Sequence, residues 1–202
     1  MPNVRPISPD GLVDLCVDFV ARIPGCRVVA VDGADAAGPD AFAAEIAARL
    51  EIAGHAAAVV VMSDFMRPAS LRLEYGHTDP ESYRTIWFDH EAVRREVIDA
   101  LHERGRWLPR LWDATRDRSF RDVPRTAAPD QVLLLAGPLL LGSGLPVDAT
   151  VALTMSEGAL RRRTAEPDLW TVPALTAAAR TAAPADIEVR YDHPDRPAVT
   201  TR

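Results

Sequence analysis

Residues 27–40 read RVVAVDGADAAGPD. The first six, 27–32, are a short apolar run of the kind that a strand buried on both faces requires. Gly33 to Asp40 reads as a turn. Residues 41–53 then place Phe42, Ile46 and Leu50 at helical spacing. Strand, turn and helix thus follow one another within 27 residues. The same alternation continues outward. Further buried strands are predicted at 56–62 (AAAVVVM), 131–136 (QVLLLA) and 147–153 (VDATVAL), with a last strand at 187–191 (IEVRY). A helix over about 8–23 opens on Ser8-Pro9-Asp10, with Ser8 as cap, and stops at Pro24-Gly25. Val93, Val97, Ile98 and Leu101 mark another helix, and two more are expected at 156–165 and 168–183. Strands alternating with helices predict an α/β fold, a parallel sheet covered on both faces, as a single domain over 1–202. Ligands of such sheets bind beyond the carboxyl ends of the strands. Here those ends are the loops that start at Gly33, Ser63 and Gly137.

Composition narrows the chemistry. The chain has 202 residues, a formal net charge of −6 and 23 basic side chains, every one an arginine. Without lysine the chain has no Schiff-base lysine and no phosphate-gripping lysine. The acidic balance argues against a nucleic-acid partner, which needs a basic face. No apolar run approaches the ~20 residues of a membrane span, so no membrane partner is expected. Residues 1–9, with three prolines and one arginine, do not read as a signal peptide. Cys16 and Cys26 read as core thiols, which fits the cytoplasm. His77 and His90 stand alone in polar sequence, and no His/Asp/Glu set has metal-ligand spacing, so no metal site is expected.

Gly33 and Gly38, five apart at a strand-to-helix junction, have the frame of a P-loop, G-x-x-x-x-G-K-[ST]. In a working P-loop, backbone N–H groups surround the phosphates, lysine reaches the outer ones and the hydroxyl holds magnesium. Here Pro39 stands at the lysine position and Asp40 at the hydroxyl position. Proline removes a donor, and the aspartate puts negative charge where a polyphosphate needs positive potential. Taken alone, the segment equally suits a plain turn with Pro39 opening the helix.

From about Arg27 to Asp195 the chain resembles the uridine kinase-like family of P-loop nucleoside kinases. The resemblance rests on RVVAVDGADAAG, on Ser63-Asp64-Phe65-Met66-Arg67-Pro68 against D-[DS]-F-[YH]-R-P, and on Tyr83 followed by Phe88-Asp89-His90. It continues through Trp112-Asp113 against a Y-D segment, LLLAGPLLL at 133–141 against a strand followed by E/D-G-[IV]-[FL], and Arg161-Arg162-Arg163 against an arginine-rich lid. It implies a parallel-sheet, three-layer P-loop NTPase fold with a short helical lid at about 156–168. It implies that Asp89 binds ribose hydroxyls, that Phe65 and Tyr75 line a base on which Trp112 stacks, and that Arg67, Tyr83 and Asp113 add contacts. The departures are systematic. The family's catalytic acid falls on Ser63, leaving Asp64 as a weak substitute, and its third-motif acid falls on Ala136. The family's histidine after Y-D has no match in Ala114 to Asp117.

Missing lysine, hydroxyl, base and acid all bear on phosphoryl transfer, which depends on positioning and charge neutralisation. The leading expectation is a nucleoside kinase-like protein that no longer uses ATP. It would bind a nucleoside-like or polyhydroxylated ligand, or act as a partner, with a homo-oligomer open. One alternative is an active, atypical kinase using ATP and magnesium, with Asp64 as base and the lid arginines supplying charge. Another is a non-ATP enzyme built in the former cleft.

Overall fold

The strand at the head of that stretch is the middle of the molecule. In the computed structural model, which describes residues 3–201, Arg27–Gly33 hydrogen-bonds on both edges and alternates between two cores. Val29 and Val31 face one, Val28 and Ala30 the other, as the two-residue period of a strand dictates. In chain order the elements are β1 (Asn3–Pro6), α1 (Pro9–Ala21), β2 (Arg27–Gly33), α2 (Pro39–Ile52), β3 (Ala57–Val61), α3 (Ala69–Arg72) and α4 (Pro80–Thr85). Then α5 (His90–Val93) runs through a π-helical stretch, Arg94–Ile98, into α6 (Asp99–Arg104). A β arm follows, made of β4 (Arg106–Trp107), β5 (Trp112–Asp113), β6 (Arg118–Ser119) and β7 (Arg125–Thr126). The chain closes with β8 (Val132–Gly137), β9 (Ala149–Thr154), α7 (Glu157–Arg163), α8 (Val172–Thr181), β10 (Ile187–Arg190) and β11 (Ala198–Thr201).

The main sheet has the order β1-β11-β10-β9-β2-β8-β3. Neighbouring strands from β3 to β10 are parallel, while β11 is antiparallel to both β10 and β1. Helices α1 and α2 cover one face through Leu12, Cys16, Val20, Phe42, Ile46 and Leu50. The π-containing helix and α8 cover the other through Val93, Val97, Ile98, Leu101 and Ala174. This is the α/β, three-layer, mostly parallel architecture expected from the alternation. Ser8 caps α1 as expected, its Oγ accepting from the Gly11 N–H at 3.1 Å. No described helix is long and apolar enough to cross a membrane.

The structure adds two strands to those expected and shifts the start of one helix. Strands β1 and β11 have no apolar run to mark them in the sequence: each is four residues long and held by pairing with its neighbours, β1 ending in a proline and β11 in two threonines. The segment at about 156–168 holds α7 and the start of a 3-10 turn, Glu166–Thr171, while the helix expected at 168–183 begins only at Val172. Pro167 and Pro173 account for this, since each suits a first turn and neither can donate within a continuous helix.

Gly137, at the end of β8, has φ +144°, and a Cβ there would lie 2.6 Å from the Met62 Cβ. Only glycine lets β8 approach the 3-10 turn Met62–Asp64 that ends β3. That approach brings the three strand-end loops together.

Candidate functional site

The carboxyl ends of β2, β3 and β8 meet at one edge of the sheet. Asp32, the penultimate residue of β2, accepts from the N–H groups of Leu140 at 2.7 Å and Leu141 at 3.3 Å. It thereby ties the loop after β8 across the end of β2. Burial raises its carboxyl to a pKa of about 6 despite these two donors.

The turn that follows closes on itself. Asp35–Ala37 is a 3-10 turn, with Ala37 N–H donating to Ala34 O at 2.7 Å and Gly38 N–H to Asp35 O at 2.9 Å. Gly38 is left-handed, φ +71°, and Pro39 is the first residue of α2. Two N–H groups of the loop are therefore spent on its own carbonyls and a third is deleted by proline. The loop also carries acid. Asp40, in the first turn of α2, has its pKa pushed up to about 6, first by desolvation and then by Asp35 and Asp64. Asp35 is raised by desolvation and by Asp168. Asp64 is raised by desolvation, with Arg110 opposing and Asp122 and Asp113 adding to it. The P-loop frame thus presents carboxylates that repel one another.

Beside the turn lies a cavity of about 360 Å³. Its aromatic wall is a cluster in which Tyr83 meets Trp87 at 5.4 Å and Trp170 at 5.5 Å edge-on, while the two indoles lie 5.1 Å apart. The Arg72 guanidinium covers Trp87, 5.2 Å from the ring centre. The Trp87 Nε1–H is buried without a partner. Asp35, Asp168 and Arg163 supply the charges of the lining. The Tyr83 hydroxyl is driven further from ionisation by burial and then by Asp35 and Asp168. On the other side of the turn a smaller cavity of about 230 Å³ lies between Asp32, Leu153 and α8.

The residues expected from sequence are distributed unevenly. Gly33, Gly38, Pro39, Asp40 and Asp64 share the strand-end region, and Tyr83 lines the larger cavity. Phe65, expected against a base, is fully buried in the core, because its residue bridges to Trp112 beneath the arm. Tyr75 is 65% exposed beyond α3. Arg67 is held through its backbone N–H, which donates to Trp87 O at 2.9 Å. Asp89 caps α5, accepting from Ala92 N–H at 3.0 Å. The Trp112 Nε1–H donates to Asp117 at 3.1 Å, and Asp113 accepts from the N–H groups of Thr115 and Arg116. Both therefore serve the arm's own turn. Arg161 pairs with Glu157 at 3.1 Å, Arg162 is exposed, and Arg163 donates to Tyr191 O at 3.2 Å while lining the cavity. Among the described residues, no group of three or more His, Cys, Asp or Glu side chains is arranged to hold a metal ion.

Sequence reading missed Trp87, Trp170, Asp35 and Asp168. Trp87 immediately precedes the Phe88-Asp89-His90 segment, and in a chain with 6% aromatic residues its indole was a usable signal. Trp170 reaches the site only through the fold.

Solved structures share this architecture. The chain is similar to a possible uridine kinase from Bacillus stearothermophilus, with 19% identity, 87% of this chain and 96% of that chain covered, and a TM-score of 0.68. It is likewise similar to a candidate fructose transport system kinase from Silicibacter sp. TM1040, with 21% identity, 88% and 98% coverage, and a TM-score of 0.67. No protein-family model matches the chain. No curated protein matches it in sequence. At these identities the likeness is one of fold, and the chain has the α/β fold of P-loop kinase-like proteins.

Proposed function

We propose that this protein binds a small polyhydroxylated or nucleoside-like ligand in the cavity beside the Gly33–Asp40 turn and does not transfer phosphate from ATP. The observation that carries this reading is the turn itself. Its N–H groups at Ala37 and Gly38 are engaged by its own carbonyls, and Asp35, Asp40 and Asp64 gather where a triphosphate needs positive potential. Phosphoryl transfer draws its rate from charge neutralisation, and this edge supplies the opposite sign. The cavity suits a flat, hydroxyl-bearing ligand: indole faces pack against sugar or base, and carboxylates accept from hydroxyls. Two free cysteines fit a reducing cytoplasm.

The test couples turnover to binding. Incubated with magnesium, ATP and either uridine or fructose, the protein is expected to form no ADP above a protein-free control. Titrated with the same compounds, its tryptophan fluorescence is expected to change saturably, and Trp170→Ala is expected to weaken that response about tenfold. Magnesium-dependent phosphorylation of either compound overturns the loss of transfer. A fluorescence signal that neither compound moves overturns the ligand class.

A further inference from the structure

The β arm between Arg106 and Thr126 reverses the charge of the molecule. It carries six arginines against three aspartates, in a chain of net charge −6. All three carboxylates are occupied. Asp122 takes the Arg110 guanidinium through two bonds of 2.8 and 3.1 Å. Asp117 accepts from Trp112 Nε1 at 3.1 Å and from Ala69 N–H at 2.7 Å. Asp113 accepts from two turn N–H groups and faces Arg116 Nε at 3.8 Å. Among the described residues, Arg118 and Arg121 are left with no carboxylate partner.

These side chains surround a concavity of about 440 Å³, lined by Asp113, Arg116, Arg118, Ser119, Phe120 and Arg121. The Phe120 ring is backed by the Arg110 guanidinium at 4.4 Å. Arg121 holds a left-handed backbone, φ +56°, a conformation that costs a non-glycine residue about 1 kcal/mol. Its N–H donates to Ser119 Oγ at 3.1 Å, which leaves the Ser119 hydroxyl hydrogen free to donate. The arm is anchored to the body by Leu111 N–H to Asp64 O at 3.0 Å and Leu108 N–H to Glu96 O at 2.9 Å.

We propose that this concavity is an anion site for a phosphate group, free or esterified to a small sugar. Arg118 and Arg121 supply forked donors and uncompensated charge, Ser119 adds a hydroxyl donor, and Arg116 stays shared with Asp113 at the rim. The proposal does not depend on the cleft reading, because no residue is common to the two cavities.

Inorganic phosphate and ribose 5-phosphate are the probes, followed by calorimetry and by NMR of the arginine Nε–H signals. Saturable binding that weakens as salt rises and moves the Arg118 and Arg121 signals is expected. Tighter binding of ribose 5-phosphate assigns the ester, and equal binding assigns the free ion. Arg118→Gln with Arg121→Gln is expected to weaken binding about tenfold or more, with the melting temperature unchanged because both side chains are exposed. Arg22→Gln, an exposed arginine at the end of α1, is expected to change nothing. Absence of saturable binding in the native protein overturns the site, and so does an equal loss in the Arg22 variant.

Discussion

Asp89 shows how one carboxylate can fit two accounts at the scale of a residue. Placed after Phe88 and before a helix, it reads equally as a sugar clamp and as a helix cap. In the fold one of its oxygens takes the Ala92 N–H, and the residue is absent from the lining of the cavity beside Trp87. Asp89→Ala is therefore expected to cost about 1 kcal/mol of stability, read from urea unfolding, while Asp89→Asn, also a good cap, retains most of it. A loss of ligand response with stability unchanged in Asp89→Ala would return the residue to the clamp. Phe65 is the companion case. The resemblance sets its ring against a base, whereas an aromatic residue that follows an apolar strand reads by itself as core, and Phe65 is wholly buried.

The element that decides the chemistry is the turn between β2 and α2. Its glycine frame was legible because Gly38 must be left-handed and Pro39 suits a first helical position. Its closure was not, since the 3-10 turn at Asp35–Ala37 is a matter of backbone conformation. If closure and acidity together abolish phosphate binding, restoring two side chains is insufficient. Pro39→Lys combined with Asp40→Thr is expected to remain without ADP formation in the presence of magnesium and ATP, because Asp35 and the bonded Ala37 and Gly38 N–H groups persist. ADP release by that double variant would show that the loop reopens once the two residues are replaced.

Over the whole molecule, acid and base are segregated. Carboxylates with raised pKa values collect at the strand ends, while the arm carries six arginines against three aspartates. Asp32 and Asp40 hold their protons up to about 6, against an ordinary value of 3.8. The folded state therefore binds more protons than the unfolded chain between these values, and their contribution to stability is full below about 4 and lost as pH rises through about 6. His90, whose pKa burial lowers, acts in the opposite sense. Comparing Asp40→Asn with the native protein cancels it. The variant is expected to melt with the native protein near pH 4 and above it at pH 7.5, with the gap opening between. A gap that is constant with pH would mean that Asp40 is not held protonated.

The sequence by itself determined the layers. Runs such as VVAV and VLLL must be buried on both faces, and the intervening helices have one apolar side, so a covered parallel sheet follows from the hydrophobic effect and the strand period. It also determined that lysine is absent and that proline and aspartate occupy the end of the glycine frame. Only the tertiary structure decided that Trp87 and Trp170, 83 positions apart, form one wall, that Asp35 and Asp168 face the same cavity, and that β1 and β11 complete the sheet. Those facts depend on contacts between distant segments, and local propensity carries no information about which distant segment will arrive.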